Sequence, residues 1–250
     1  MPLLGRVTSK YKEGKNELHS VWDRSLDGSG WPCELGLLRE RKDIMEPHGE
    51  VRPFSDGDYF DGDWSIMIAL IPARGGSKRI KSKNLRLLAG KPLILHTIEC
   101  AKKSKYDLRI VVSTDDDSIA QLSLKNEVEV VRRPWELSQG TALPTTVIRH
   151  ALNSLDIDTD IIVLLQCTSP LRLPEDIDNA IGLLGPAIDS VSSTCNGTEN
   201  GAVYAIKKHM LDRGTLYGIT LMYEMPKERS IDINDEADWM EATLLMEERE

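Results

Sequence analysis

What this chain lacks is informative before anything it contains. Its 250 residues hold no long uninterrupted apolar run, and a bilayer-spanning helix needs about 18 or more such residues in a row. The opening stretch MPLLGRVTSKYKEGK has no apolar core of the kind that marks a signal peptide. A cytoplasmic protein without membrane contact is therefore the expectation. Four cysteines (Cys33, Cys100, Cys167 and Cys195) stand far apart with no C-x-x-C pair. That spacing suggests neither a zinc site nor a disulfide framework, but reduced thiols. A basic balance is missing too. The formal net charge is −9, whereas a general nucleic-acid binder needs a basic face to neutralise phosphates. Neither G-x-x-x-x-G-K-[ST] nor G-x-G-x-x-G occurs, which excludes the two commonest glycine signatures for nucleotide phosphates.

Residues 1–64 read differently from the rest. They contain three of the five tryptophans, and GSGWP and PFSDGDYFDGDW are turn-rich. A short helix over Glu34–Arg41 is the one element they suggest. They are read as an N-terminal extension of unknown function, and residues 65–250 as the functional domain. From Ile66 the pattern becomes regular. IMIALIP, LRIVVST and DIIVLLQ read as buried strands, and VEVVRRP as a further strand between the last two. Helical patterns follow them in PLILHTIECAKKS, DDSIAQLSLKN, PTTVIRHALNSL and PEDIDNAIGLL. DSVSST and NGAVYAIKK read as further strands, and DEADWMEATLLMEERE as a terminal helix with acids at its start. Strands alternating with helices predict an α/β, Rossmann-like three-layer domain with a mostly parallel sheet. In such folds ligands bind beyond the carboxyl ends of the strands.

The loop after the first of these strands runs from Ala73 to Asn84, and five of its twelve side chains are cationic. Gly75 and Gly76 allow close backbone approach. Free amides and the Ser77 hydroxyl would add anion donors. In a net acidic protein, this loop is a candidate polyphosphate site, although a basic loop can also be a solvated face.

Six blocks in order resemble the acylneuraminate cytidylyltransferases, the CMP-sialic acid synthetase family. They are IPARGGSKRIKSKNL with LAGKPLI, VVSTDDDSIA, VRRPWEL, LLQCTSPLR, NGAVYAI and SIDINDEADW, covering roughly residues 66–240. The resemblance implies a nucleotidyltransferase that moves CMP from CTP to the anomeric hydroxyl of an acidic nine-carbon 2-keto sugar of the sialic, legionaminic or pseudaminic type. Pyrophosphate leaves, and no protein nucleophile is needed. Arg74 and Lys83 would hold the triphosphate and stabilise the leaving pyrophosphate. Ala73, Gly75, Gly76, Ser77, Lys78 and Asn84 would complete the loop. Arg133 would sit near the base. Gln166, Thr168 and Ser169 would lie against nucleotide and sugar, and Asn200 on the sugar side. Asp232, with Asn234 two residues on, would hold Mg²⁺, a cation that prefers oxygen ligands. Asp115–Asp117 read as caps of the following helix, and Asp235 as the cap of the last one.

Three departures from the family pattern stand out. Cys167 replaces the proline of Q-P-T-S-P, leaving a thiol near the nucleotide. Gly140 occupies the place of an acid after R-P-x-E-L. Few residues separate DSVSST from NGAVY, where the family carries a long insertion that builds its homodimer and recognises the sugar acid. That dimer is therefore in doubt here. The alternative function is a degenerate, nucleotide-binding relative without catalysis.

Overall fold

A computed structural model describes residues 66–139 and 142–249, together with the backbone of Trp22–Asp23. The Glu34–Arg41 helix and Gly140 lie outside the described residues. The strands are β1 (Trp22–Asp23), β2 (Met67–Pro72), β3 (Leu87–Leu88), β4 (Lys91–Pro92), β5 (Leu108–Thr114) and β6 (Glu129–Arg132). They continue with β7 (Ile161–Leu164), β8 (Ser190–Cys195), β9 (Thr198–Lys207) and β10 (Ile219–Glu224). The helices are α1 (Leu93–Lys102), α2 (Asp117–Lys125), α3 (Trp135–Ser138), α4 (Pro144–Ser154), α5 (Pro174–Gly182), α6 (His209–Asp212) and α7 (Glu236–Glu247).

β3 and β4 form a small hairpin, and the other eight strands form one sheet in the order β1-β10-β8-β9-β7-β2-β5-β6. β2 pairs in parallel with both β5 and β7. That position explains its unbroken apolar sequence. Ile68 and Leu70 face one side, and Ala69 and Ile71 the other, as the two-residue period of a strand requires. Full burial of each such isoleucine or leucine contributes about 1.5–3 kcal/mol. One face is covered by α1, α2, α5 and α7 through residues such as Ile98, Ile119, Ile177 and Trp239. The other is covered by α4 and α6 through Ile148, Leu152 and Met210. This is the expected three-layer α/β arrangement. β9 runs against its neighbours β7 and β8, so the sheet is mostly rather than wholly parallel.

Two features place the site. From β2 the chain goes outward through β5 to β6, then returns to β7 on the other side of β2. The loops after β2 and β7 therefore diverge and leave a crevice between them. The second feature is the link between β8 and β9. It is a two-residue turn in which Asn196 has φ 52° and Gly197 φ 72°, with Cys195 paired to Thr198. Positive φ at both central residues is the hairpin geometry that Asn-Gly favours. β10 and α6 have no counterpart among the expected elements. In β10 only Thr220 is buried, so it lacks the apolar run that marked the inner strands.

Candidate active site

The loop after β2 is tied down before it is presented. Ala73 is fully buried, and its N–H donates to the Ser113 carbonyl at 2.9 Å. Gly75 donates its N–H to the Asp115 carboxylate at 3.0 Å. A Cβ at Gly75 would stand 2.6 Å from the Asp116 carboxylate, which is why glycine is needed there. The Ser77 N–H turns back to the Gly75 carbonyl at 2.9 Å. This corrects part of the expectation: the amides of Ala73, Gly75 and Ser77 are engaged, so the loop presents side chains more than a nest of free N–H groups. The exposed Gly76 and Lys78 are not among the residues lining the cleft described next. Asn84 is buried, and its amide holds the Arg74 carbonyl at 2.9 Å. Ser82, just before Lys83, adopts φ 51°, a left-handed conformation that costs a non-glycine residue about 1–2 kcal/mol.

A cleft of about 350 Å³ opens at the crevice, and Arg74, Ser77, Lys83, Asn84, Arg133, Gln166 and Thr168 all line it. Three cations thus reach one cavity from two strand ends and a loop. None of the three is in a salt bridge among the described residues. The Arg133 guanidinium is anchored by donating to the Ser113 hydroxyl at 3.1 Å and the Ser113 carbonyl at 2.6 Å. Burial lowers the Arg133 pKa, partly offset by Asp115. Lys83 donates to the Ile233 carbonyl at 2.7 Å. Its pKa is lowered by burial, against the opposing pull of the Asp232 carboxylate. Leu137, Val147 and Pro144 give the cleft an apolar wall.

On the β7 side, the Gly201 backbone packs against Gln166. A Cβ there would lie 3.2 Å from the Gln166 side-chain oxygen, and φ is +73°, so glycine answers both space and conformation. Ser169 and Asn200 are buried away from the cleft. The Asn200 carboxamide is taken up by its neighbours. It accepts from Ser193 at 2.6 Å and from the Ala202 N–H at 3.1 Å, and donates to Ser230 at 3.0 Å. Asn200 braces the sheet to the chain beyond β10, and its side chain is not presented to a ligand. Cys167 does line the cleft, but burial raises its thiol to about 12 despite nearby Arg172, Lys83 and Arg133. The thiol therefore stays protonated and weakly nucleophilic.

Asp232 and Asn234 flank Ile233, whose carbonyl receives Lys83, so they adjoin the cleft. The Asn234 amide donates to the Asp232 carboxylate at 2.8 Å, while its oxygen accepts from Arg79 at 3.3 Å. Of the expected pair, Asp232 offers the anionic oxygen, and Asn234 is already occupied on both sides. No group of three or more His, Cys, Asp or Glu able to hold a metal exists among the described residues. A donor set of one carboxylate still fits Mg²⁺ in a nucleotide site, because that ion is held by one or two carboxylates with phosphate oxygens and water.

The three aspartates after β5 have separate duties. Asp116 caps α2 by accepting the Ile119 N–H at 2.9 Å, Asp117 pairs with Arg132, and Asp115 clamps the β2 loop. Asp235 caps α7, as expected. Sequence reasoning missed Asp115 as a clamp, and Tyr204. Tyr204 lies opposite Leu164 across the β7–β9 ladder. Burial raises its hydroxyl pKa, with Glu199, Tyr217 and Asp232 adding to the effect. Its signal was the NGAVY block, where only the asparagine was singled out.

A family model described as cytidylyltransferase matches residues 68–207. The CMP-N,N'-diacetyllegionaminic acid synthase of Legionella pneumophila is 34% identical over 227 residues, covering 72% of this chain and 96% of the relative. The N-acylneuraminate cytidylyltransferase of Streptococcus agalactiae is 32% identical over 213 residues, 69% of this chain and 51% of that protein. That of Escherichia coli is 30% identical over 221 residues, 73% of this chain and 52% of its own length. The chain thus spans about half the length of these two longer relatives. Among solved structures, a CMP:2-keto-3-deoxy-manno-octonic acid synthetase complexed with CTP superposes with a TM-score of 0.62 at 17% identity, covering 74% of this chain and 100% of that one. A nucleotidyl transferase from Methanothermobacter thermautotroptrophicus gives a TM-score of 0.58 at 13% identity, covering 74% and 99%. These two likenesses concern the fold. Family model and sequence relatives agree with the cationic cleft at the crevice, and the chain belongs to the cytidylyltransferase family.

Proposed function

We propose that the chain transfers CMP from CTP to the anomeric hydroxyl of an acidic nine-carbon 2-keto sugar, releasing pyrophosphate. The observation that carries this reading is the convergence of Arg74, Lys83 and Arg133 on one cleft. In the reaction the anomeric oxygen bonds to the α-phosphorus, and the bond to the bridging oxygen of pyrophosphate breaks. Negative charge grows on the departing group. Arg74 offers a guanidinium fork to phosphate oxygens and Lys83 a point charge. Lys83 is held by the Ile233 carbonyl before the substrate arrives, so little reorganisation of that charge opposes the reaction. Arg133, rigid against Ser113, faces the nucleotide from β6. Gln166 and Thr168 close the β7 side, and Ser77 and Asn84 support the loop. Asp232 is the carboxylate that would hold Mg²⁺, which supplies further charge neutralisation on the phosphates when bound. Residues 65–250 form the catalytic unit, and residues 1–64 are an extension whose strand β1 adds to the β10 edge of its sheet.

Support comes from the legionaminic acid synthase relative, which this chain matches over 96% of that protein's length. The test is pyrophosphate release from CTP across a panel of 2-keto sugar acids, with Mg²⁺ present. Release with at least one nine-carbon acid and none without sugar is expected. No release with any acid, although CTP binds, would leave a nucleotide-binding protein without this activity.

A further inference from the structure

Asp232 sits on the chain between β10 and α7, and that chain is held by anchors on either side of it. On the near side is Arg229. Its guanidinium donates to the Asp176 carboxylate through Nε at 3.1 Å and Nη2 at 2.7 Å. Asp176 has no exposure to solvent. It also accepts the Tyr223 hydroxyl at 2.9 Å and the Leu173 N–H at 2.9 Å. Ser230 follows, accepting the Asn200 amide at 3.0 Å and donating to the Pro226 carbonyl at 2.8 Å. On the far side, the Ile233 N–H donates to the Thr168 carbonyl at 2.8 Å, and its own carbonyl takes Lys83.

Asp176 is fully buried while a quarter of the Arg229 side chain stays exposed, and an ion pair with a buried member is a poor way to stabilise a fold, because desolvation offsets much of the attraction. Capping α5 requires only the bond to Leu173. What the pair adds is direction. A bidentate fork fixes both the distance and the plane of its partner, and here it clamps the turn Lys227–Arg229 to the start of α5, three residues before Asp232.

We infer that the Asp176–Arg229 pair is a positioning device for Asp232, setting where that carboxylate stands beside the cleft. This rests on the reading of Asp232 as the carboxylate of the metal–nucleotide site. Arg229 and Asp176 touch no substrate in this account and act through the chain between them and the cleft.

The experiment is titration of CTP into the full chain by calorimetry, with and without Mg²⁺, alongside thermal unfolding. In the wild type, Mg²⁺ tightens CTP binding. Asp232→Asn removes that enhancement. Arg229→Lys keeps the charge but loses the fork. It should cut the Mg²⁺ enhancement by about tenfold, the lower end of the effect of disturbing groups that orient metal ligands, and leave metal-free CTP affinity within about twofold. Arg229→Lys combined with Asp232→Asn should match Asp232→Asn alone. Tyr223→Phe, which removes one bond to Asp176 and keeps the ion pair, should move the enhancement in the same direction by less. It serves as the test if Arg229→Lys does not fold. A lowered melting temperature with the full wild-type Mg²⁺ enhancement in both variants would make the pair structural only and overturn the inference. Absence of any Mg²⁺ enhancement in the wild type would instead remove the metal reading of Asp232, and this inference with it.

Discussion

On the β6–β5–β2–β7 side of the sheet, Arg74, Lys83 and Arg133 reach the cleft with no carboxylate in a salt bridge to them among the described residues. On the β9–β8–β10 side, polar side chains are bonded to one another. There Ser190 meets Thr220 at 2.8 Å, Ser192 meets Glu199 at 3.0 Å, Ser193 meets Asn200 at 2.6 Å and Thr194 meets Glu224 at 2.7 Å. The Asn196–Gly197 turn is closed against Glu224 as well. The first side gathers cations that are not paired with carboxylates around one cleft. The second is a scaffold whose donors and acceptors already satisfy each other. The triphosphate site proposed above lies on the first side. Under the proposed function, the cleft cations are also the charge partners offered to an acidic sugar, since the Asn196–Gly197 turn carries no cation.

The largest effect should come from the unpaired cation. Arg74→Ala should lower turnover by about 10²–10³-fold, roughly 3 kcal/mol, as for removal of one preorganised donor at developing charge. Its guanidinium supports no other described residue, so the circular dichroism spectrum and melting temperature should not change. Wild-type turnover in that variant would take Arg74 out of the mechanism and blur the distinction between the two sides.

Next comes the pair beyond β10. Asp232→Asn should abolish most of the Mg²⁺ dependence of turnover, since Mg²⁺ needs anionic oxygen to offset its dehydration. Asn234→Asp should be tolerated and shift half-maximal activity to lower Mg²⁺. It adds a second carboxylate, with Arg79 already placed to balance it. A titration of activity against Mg²⁺ reads both. Unchanged dependence in Asp232→Asn would move the metal elsewhere, with Asp115 the first place to look.

A smaller effect is expected with pH. Burial holds Lys83 below the ordinary lysine value of 10.5. The ammonium is the form that attracts phosphate, so raising the pH removes it earlier than it would for an exposed lysine. The alkaline limb of kcat/KM, which reports the free enzyme, should therefore fall below the usual lysine range. Lys83→Arg should push that limb upward, because a guanidinium stays charged. An identical limb in both proteins would mean that another group titrates.

The smallest effect should follow removal of the extension. A chain starting near Ser65 should fold and bind CTP in preference to ATP or GTP. It loses the two-residue strand β1 from the β10 edge, which lies on the side remote from the cations. Failure to fold would show that residues 1–64 belong to the core. Equal affinity for the three nucleotides would reduce the cleft to an unspecific phosphate site.

Much of the first side was legible in the sequence, and the physical reason is local. β2, β5 and β7 are buried on both faces, so their composition alone marks them. A basic loop directly after such a strand has one place to be. That reading covers the loop of Arg74 and Lys83, whereas the roles expected of Arg74, Lys83 and Arg133 came from the family resemblance. The second side was less legible because its features depend on partners distant in sequence. β10 exposes most of its length and is held by pairing with β8. Asn200 looked like a ligand group because a lone asparagine in a motif cannot reveal that Ser193, Ala202 and Ser230 occupy it. Asp115 looked like a cap beside Asp116 and Asp117, since its bond to Gly75 spans 40 positions. The link between β8 and β9 is a two-residue turn, and the Asn-Gly pair that closes it was there to be read.

The central claim concerns which phosphorus the acceptor attacks and what it carries away. The most direct measurement supplies CTP labelled at the α-phosphorus, with the nine-carbon acid that gives pyrophosphate release. The account predicts that label moves into a CMP–sugar conjugate in step with unlabelled pyrophosphate. Label remaining in CTP, or appearing only as free CMP without a sugar conjugate, would contradict it.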